Sequence, residues 1–315
     1  MRFAFMGSPP FAVPVFRHLL DSDHICVTLV TRPDRPRGRG RSVQVSPLVE
    51  MAREHDVAVL QPESTRGEAF AAELSAHGPE VLMVASYGEI LRQPILELAP
   101  HGALNVHGSL LPRWRGAAPI QRAILEGDET TGVAVQRIVL ALDEGDVLLV
   151  RETPIGAQET SGDLFARLAE LGGEAAVAAL DELESGTATF TPQSEEGVTY
   201  AKKLTKKDGT IDWSKTAVEL ERFVRAMTPW PGARTRLANG RELGVLEARL
   251  IESKSVSGVP GTLSVANGEM RVATGEGELL LLQVKPEGKR PMEGSAFLRG
   301  ARLEDGQVLG AGDAA

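Results

Sequence analysis

The sequence predicts an α/β protein of two domains, a doubly wound, mostly parallel sheet followed by a smaller β-barrel. In the first half, short apolar runs alternate with stretches of helical spacing, which is typical of a parallel sheet covered on both faces. Beyond about residue 240, short β-like runs lie between glycines, which favours a small barrel or sandwich. A chain of 315 residues is long enough for two such domains.

Each element of the first half is predicted by its own run of residues. Continuous apolar runs predict strands at Arg2–Met6, Ile25–Thr31, Val57–Leu60, Val81–Ala85 and Ala103–His107. Helical spacing predicts helices at Phe11–Leu20, Ser46–Glu54, Glu68–His77 and Ile90–Leu98. Strand and helix therefore alternate as βαβ units require.

The pattern changes in the second half of the chain. We expect helices at Ala117–Leu125, Ser161–Glu184 and Val218–Met227. We expect strands at Val133–Val139, Val147–Val150, Gly244–Ile251, Gly261–Val265, Met270–Ala273 and Glu278–Val284. After Gly186, Thr, Pro, Gln, Ser and Gly dominate as far as about residue 205, which indicates a linker. The predicted domains are residues 1–189 and 208–315, with the linker at 190–207.

Composition and the first residues restrict the class of protein. With 42% hydrophobic and 24% charged residues, the chain is too apolar for a disordered protein. Its single cysteine, Cys26, lies in an apolar run, so we expect a buried, unreactive thiol and no cysteine metal site. The first apolar stretch is too short for a signal peptide, and no apolar run approaches the roughly 20 residues that cross a bilayer. We expect a soluble protein of the cytoplasm.

Two common nucleotide-binding motifs are absent from the sequence. The first strand is followed by Gly7-Ser8-Pro9-Pro10 in place of GxGxxG, and proline has no N–H to offer a phosphate. No GxxxxGK[ST] occurs either. A nicotinamide dehydrogenase is therefore disfavoured, and a P-loop NTPase is excluded on motif grounds.

Asn105 and His107 are the first candidates for chemistry. They lie two residues apart at the end of a predicted strand, so both side chains project to the same side. The carboxyl end of a parallel strand is where open α/β sheets place their ligands. An amide beside an imidazole can polarise a carbonyl and move a proton. The alternative is a hydrogen-bonded core histidine beside a turn asparagine.

Several motifs around this pair match one family in order along the chain, from residue 5 to residue 233. The matching segments are Phe5–Pro14, Arg32–Gly40, Asn105–Gly116, Leu142–Asp146, Lys203–Trp213 and Pro229–Ala233. The chain resembles the methionyl-tRNA formyltransferases, a bacterial family of translation-initiation enzymes within the 10-formyltetrahydrofolate-dependent formyltransferases. Small departures from the family pattern occur at Ser8, Pro10 and Thr228, outside the expected catalytic residues.

The resemblance implies a fold and a reaction. The fold is a Rossmann-like formyltransferase domain with an OB-like second domain that binds tRNA. The reaction moves the formyl group of 10-formyltetrahydrofolate to the amino group of initiator methionyl-tRNA through a tetrahedral intermediate, giving N-formylmethionyl-tRNA. No metal is implied. We expect no obligate protein partner, no membrane partner and a monomer.

The resemblance also implies roles for particular residues. Asn105 and protonated His107 stabilise the oxyanion, and Asp143 pairs with His107 and helps to remove the proton of the attacking amine. Asp146, in the same acidic turn, is the reserve candidate for that carboxylate. The residues implied to bind the folate are Ser109, Leu110, Leu111 and Pro112.

Basic residues are concentrated at two places in a chain whose net charge is -9. The ten residues Arg32–Arg41 contain five arginines and one aspartate. Such a run is often a solvated face, but the resemblance makes it the loop that enters the tRNA acceptor arm. The residues expected to contact tRNA are Arg35, Arg37, Arg39, Arg41, Lys203, Lys206 and Lys207. A solubilising linker is the alternative reading of the lysines.

Four other functions compete with this interpretation. A sugar-nucleotide formyltransferase would share the expected catalytic residues but gives no reason for the basic loop. A glycinamide ribonucleotide formyltransferase should end near residue 200. A hydrolase that releases formate from the same folate would use the same core, and only an acceptor assay separates it. A non-catalytic tRNA-binding protein would have no need of Asn105, His107 and Asp143.

Overall fold

A computed structural model of the chain describes residues 1–34, 36, 37, 42–251 and 258–310. The strands in this part of the chain are β1 (Arg2–Gly7), β2 (Ile25–Val30), β3 (Pro36–Arg37), β4 (Ser42–Val43), β5 (Ala58–Leu60), β6 (Val81–Ala85), β7 (Ala103–His107), β8 (Arg115–Gly116), β9 (Thr130–Arg137), β10 (Val147–Pro154), β11 (Tyr200–Ala201), β12 (Ala233–Arg236), β13 (Glu242–Ile251), β14 (Leu263–Ser264), β15 (Arg271–Ala273), β16 (Glu278–Pro286) and β17 (Met292–Glu293). The helices are α1 (Ala12–Leu20), α2 (Pro47–Glu54), α3 (Glu68–Ala76), α4 (Gln93–Leu96), α5 (Pro119–Glu126), α6 (Ser161–Ser185), α7 (Ala217–Met227) and α8 (Gly294–Ala301). Short 3-10 helices lie at Lys206–Gly209 and Ala266–Gly268.

The chain divides into two compact units. The first unit contains Met1–Pro119, Thr130–Pro154 and Phe165–Ala201. The second contains Ile120–Glu129, Ile155–Leu164 and Lys202–Ala315. Each unit therefore draws on more than one stretch of sequence. The sequence-based boundaries at 1–189, 190–207 and 208–315 stay a prediction.

A seven-stranded sheet in the order β10-β9-β7-β6-β1-β2-β5 forms the centre of the first unit. Five of its strands, from β7 to β5, are parallel, because β1 pairs with β2 and β6, β2 pairs with β5, and β6 pairs with β7 in parallel. The chain leaves β1 toward β2 and β5 and later returns to build β6 and β7 on the other side. This is a doubly wound arrangement, and the predicted fold class is confirmed.

The two strands beyond β7 depart from the predicted parallel pattern because both of their pairings are antiparallel. Strand β9 is antiparallel to β7, and β10 is antiparallel to β9. In this register Asn105 lies opposite Gln136, and His107 lies opposite Ala134. Arg137, the last residue of β9, lies opposite Leu104, so the turn to β10 begins beside the start of β7.

Helix α6, 25 residues long, packs on the other face of β7. A Cβ atom at Gly172 would lie 2.9 Å from Cγ1 of Val106, so the helix approaches the strand closely enough to require glycine. Phe165 of the same helix makes an edge-to-face contact with Phe11, with ring centroids 5.3 Å apart. Among the residues that the structure describes, no helix is both long enough and apolar enough to span a membrane.

The second unit contains a six-stranded antiparallel sheet. Its strands follow the order β12-β13-β16-β15-β14, and β17 pairs with β16. The segment 306–310 connects the two outer strands: Leu263 N–H donates to Gln307 C=O (2.7 Å), and Gly310 N–H donates to Arg236 C=O (2.8 Å). These bonds use the backbone groups of both edge strands. A smaller β domain follows the α/β sheet, as predicted.

The start of α7 and a buried tryptophan organise the second unit. Thr216 caps the helix by accepting a hydrogen bond from Glu219 N–H (3.2 Å), and Glu219 accepts one from Thr216 N–H (2.8 Å). This reciprocal pair is a capping box, which satisfies N–H groups that a helix start otherwise leaves unpaired. Trp213 is buried, and its indole N–H donates to Thr235 Oγ1 of β12 (3.0 Å).

The helix predicted at Ile90–Leu98 is much shorter in the structure. It is α4, only Gln93–Leu96, and Arg92 before it is extended, with φ -96° and ψ 162°. Pro94 explains the late start, because proline has no N–H to donate to Ile90 C=O and its ring clashes with the carbonyl of the residue four positions earlier. The apolar spacing was real, but proline limited how far a helix could extend.

The lone thiol gives a test of the first unit. Cys26 on β2 is partly buried, its Sγ donates to Thr28 C=O at 3.6 Å, and burial raises the pKa of the thiol to about 12. Since the thiolate is the nucleophile, we expect Cys26 of the folded chain to react with Ellman's reagent at pH 8 about 100-fold more slowly than in denaturant. Stopped-flow absorbance measures both rates, and equal rates would contradict the placement of this strand.

Candidate active site

The last residues of β7 present two polar side chains to one face of the sheet. Asn105 and His107 alternate with Val106, which packs on the opposite face against Gly172. His107 is buried, with 6% of its surface exposed, and Asn105 is partly buried. The alternation predicted from the sequence is therefore present, and it brings both side chains toward the turn between β9 and β10.

The imidazole of His107 lies between two oxygen acceptors. Its Nε2 is 3.0 Å from the carbonyl oxygen of Trp114, and its Nδ1 is 3.7 Å from Oδ2 of Asp143. A carbonyl only accepts, so Nε2 must carry a proton to make the first bond. An ionised carboxylate also only accepts, so a second proton on Nδ1 turns the approach into an attraction between opposite charges. The ring therefore donates through Nε2 to Trp114, and its Nδ1 faces the Asp143 carboxylate.

Asp143 is held by donors on both carboxylate oxygens. Oδ1 accepts from Gln136 Nε2 at 2.8 Å and lies 3.5 Å from Asn105 Nδ2, and Oδ2 accepts from Gly116 N–H at 2.9 Å. Only 12% of the side chain is exposed. A carboxylate this far from water needs such partners to remain charged. The bond from Asn105 is the longest of the three, which leaves that amide available to donate to another oxygen.

The turn that carries Asp143 has an unusual backbone. Asp143 has φ 53°, in the left-handed region, where aspartate is one of the few non-glycine residues found. Gly145 approaches Arg137 C=O so closely that a Cβ atom would overlap it. Asp146, the reserve candidate, instead uses its carbonyl oxygen to accept from Arg137 N–H (2.9 Å). Of the two aspartates, Asp143 is the one beside His107.

Three further residues are hydrogen-bonded around Asp143, and the sequence analysis did not predict them. Gln136 donates to Asp143, Gln193 donates to Gln136 Oε1 at 3.1 Å, and Arg115 donates to Gln193 Oε1 at 2.9 Å and 3.1 Å. A signal existed for Gln136, since it is a buried glutamine at the end of the apolar run of β9. The sequence offers none for Gln193, which lies in the stretch predicted to be a linker.

The residues expected to bind the folate follow β7 directly. Ser109 is fully buried, and its hydroxyl donates to Arg113 C=O at 2.6 Å, which closes the loop. Leu110, Leu111 and Pro112 are partly buried. The loop therefore offers a partly exposed apolar surface beside the catalytic candidates, while the serine hydroxyl is used within the loop.

The residues expected to contact tRNA fall in two places. Arg35, Arg39 and Arg41 lie outside the described residues, and Arg37 lies on β3, which pairs with β4. The side chain of Arg37 is outside the described part of the chain. The predicted contacts of these four arginines with tRNA therefore stay predictions.

The expected lysines belong to the second unit. Lys203, Lys206 and Lys207 are exposed. The latter two lie on a 3-10 helix whose Asp208 accepts from Thr205 N–H and Oγ1, both at 2.6 Å. These hydrogen bonds lower the pKa of Asp208 and fix the start of the helix. Lys206 and Lys207 therefore project from a helix whose start is fixed by hydrogen bonds.

Asn105, His107 and Asp143, here called the β7 cluster, combine two kinds of chemistry within one small space. The Asn105 amide and the Nδ1 side of His107 can donate to an oxygen that acquires negative charge, and the Asp143 carboxylate can accept a proton. Within residues 1–34, 42–251 and 258–310, the structure has no group of three or more His, Cys, Asp or Glu side chains placed to hold a metal ion. The cluster is equipped for acyl-type transfer.

Comparison with known proteins agrees with this geometry. The family model described as "Formyl transferase" matches residues 1–180, and "Formyl transferase, C-terminal domain" matches residues 203–302. Among solved structures, an N-formyltransferase from Helicobacter canadensis, in complex with folinic acid and dTDP-3-aminofucose, superposes with a TM-score of 0.64. It is 16% identical, and the match covers 89% of this chain and 98% of that one, so it supports the fold.

Relatives among curated proteins are much closer in sequence. A methionyl-tRNA formyltransferase from Methylobacterium sp. (strain 4-46) is 45% identical over 312 residues, which is 98% of this chain and 99% of the relative. The one from Myxococcus xanthus (strain DK1622) is 45% identical over 306 residues, 97% of this chain and 96% of the relative. With both halves matched and the β7 cluster in place, the chain belongs to the methionyl-tRNA formyltransferase family.

Proposed function

We propose that this chain transfers the formyl group of 10-formyltetrahydrofolate to the amino group of the methionyl moiety of initiator methionyl-tRNA. The product is N-formylmethionyl-tRNA, with which translation begins, and the reaction takes place in the cytoplasm. The observation that carries the proposal is the cluster of Asn105, His107 and Asp143 in a chain that matches this family along nearly its full length. A folate-derived donor also fits the folinic acid bound to the Helicobacter canadensis relative in fold.

Catalysis begins with attack of the methionyl nitrogen on the formyl carbon. The carbonyl oxygen then becomes an oxyanion in a tetrahedral intermediate, and Asn105 Nδ2 and His107 Nδ1 donate to it. Both donors come from neighbouring positions of one strand, so the sheet fixes their spacing before substrate arrives. Preorganised donors of this kind contribute about 3–4 kcal/mol each to lowering the barrier.

Asp143 is the group that takes up the proton released when the intermediate forms. The attacking amine gains a positive charge, and the Asp143 carboxylate accepts its surplus proton. The oxyanion then re-forms the carbonyl, the bond between the formyl carbon and N10 breaks, and N10 leaves with the proton that Asp143 had accepted. Donors from Gln136 and Gly116 hold the Asp143 carboxylate in place before the amine arrives.

The two substrates contact different parts of the chain. The pterin end of the folate packs on the partly exposed Leu110, Leu111 and Pro112, directly after the catalytic strand. The buried Ser109 supports this loop through its hydrogen bond to Arg113 C=O. The tRNA is contacted by the basic loop and by the exposed lysines. The residues proposed for this role are Arg35, Arg37, Arg39, Arg41, Lys203, Lys206 and Lys207.

An acceptor assay tests the proposed function. Purified chain is incubated with 10-formyltetrahydrofolate and three acceptors in turn: initiator methionyl-tRNA, elongator methionyl-tRNA and a UDP-amino-sugar. We expect formylation of the initiator only, measured as acid-stable formylmethionine. Formylation of the sugar alone would replace the proposed acceptor, and release of formate with every acceptor unmodified would indicate a hydrolase.

Replacing the two aspartates of the turn separates the catalytic carboxylate from its neighbour. We expect Asp143→Asn to lower kcat about 100-fold or more, because the amide can no longer accept the proton or balance the charge of His107. Asp146→Asn is the matched control and should keep kcat within about threefold. Binding of a folate analogue, followed by fluorescence, should be unchanged in both. Equal losses in the two variants would contradict the role of Asp143.

A further inference from the structure

Gln193 occupies a fixed place between two backbone anchors. Before it, Thr191 and Val147 exchange hydrogen bonds of 2.8 Å between their backbones, and after it Arg115 N–H donates to Thr199 C=O at 2.9 Å. Strand β11, which follows, pairs in parallel with β8. The segment therefore lies along the first unit, and Gln193 reaches the turn between β9 and β10.

The carboxamide nitrogen of Gln193 faces three oxygen acceptors. Nε2 lies 2.8 Å from Asp143 C=O, 2.8 Å from Gly145 C=O and 3.1 Å from Gln136 Oε1. The two hydrogens of Nε2 are shared among these acceptors, and the two contacts of 2.8 Å hold the turn that carries the Asp143 carboxylate. The third reaches the side chain that donates to that carboxylate.

The carboxamide oxygen of Gln193 faces the guanidinium group of Arg115. Arg115 donates to Oε1 through Nε at 3.1 Å and through Nη2 at 2.9 Å, and its Nη1 pairs with Glu144 at 3.2 Å. Arg115 is buried, with 8% of its surface exposed. Because donors surround the oxygen and acceptors surround the nitrogen, the amide of Gln193 has a single favourable orientation.

The orientation of Gln193 decides the orientation of Gln136. Gln136 Oε1 accepts from Gln193, so Gln136 Nε2 is the end that faces Asp143 Oδ1 at 2.8 Å. If Gln136 turned over, its oxygen would face a carboxylate oxygen, and both groups would be acceptors. Gln136 is almost fully buried, so water could not replace the lost hydrogen bond to Asp143.

We propose that Gln193, held by Arg115, is a positioning residue for the formyl transfer. It acts on Asp143 in two ways, by fixing the carbonyls of the turn and by keeping the amino end of Gln136 directed at the carboxylate. The inference rests on the proposed function, because the step that it supports is the one assigned to Asp143.

Gln193→Glu tests this role with almost no change of shape. The variant keeps an oxygen for Arg115 but replaces the donating nitrogen by a second acceptor, opposite three acceptors. We expect kcat to fall at least about 10-fold while KM for 10-formyltetrahydrofolate and for methionyl-tRNA stays within about threefold. Gln158→Glu, which adds the same charge at an exposed position, should leave kcat within about twofold. An unchanged kcat in Gln193→Glu would overturn the proposal.

A second variant tests whether Gln193 acts on Asp143 through Gln136. Gln136→Leu removes the donor to Asp143 directly, and we expect a similar loss of kcat. In the double variant, the two losses should combine to less than their product, since both residues act on the same carboxylate. Losses that multiply in full would show that Gln193 acts independently of Gln136, against the proposal. A wild-type chain that formylates no methionyl-tRNA would instead refute the proposed function itself.

Discussion

The first unit is organised around one buried charge, the carboxylate of Asp143. A carboxylate that is taken out of water without partners is strongly unfavourable, whereas one surrounded by donors is stable and correctly directed. Gln136 and Gly116 supply the short donor contacts, and His107 stands at 3.7 Å on the remaining side. The requirement to satisfy this group explains why an otherwise apolar region contains buried polar residues. It also explains why the turn around Asp143 adopts a left-handed backbone and needs glycine at Gly145.

The antiparallel pair at the edge of the sheet makes this arrangement possible. In a fully parallel sheet, the strand after β7 would require a crossover, and its following loop would lie at the same edge as that of β7. Because β9 runs back along β7, Arg137 at its end lies opposite Leu104, and the turn that follows begins beside the strand that carries Asn105. Gln136, directly opposite Asn105, then lies within reach of the same carboxylate. The strand order thus brings the side chains of Asn105 and Asp143 into contact, although the two residues are 38 positions apart in the sequence.

The extent to which sequence anticipates the site depends on whether the relevant contacts are local. Asn105 and His107 could be predicted, because period-two alternation on one strand is a local property. Asp143 could be selected only through a family resemblance, since nothing within the turn distinguishes it from Asp146. Gln193 could not be found, because its role depends on β11 pairing with β8, which is separated from it by more than eighty residues along the chain. The length of α4 was missed for the opposite reason, since the local effect of Pro94 outweighed the apolar spacing.

The most direct test of this account is a crystal structure of the chain with a non-transferable analogue of 10-formyltetrahydrofolate. We predict that the oxygen equivalent to the formyl oxygen lies within about 3.2 Å of both Asn105 Nδ2 and His107 Nδ1. The Asp143 carboxylate should lie on the side of the formyl carbon from which an amine can approach. An analogue bound with its carbonyl directed away from β7, or with Asp143 turned from His107, would contradict the central role given to this carboxylate.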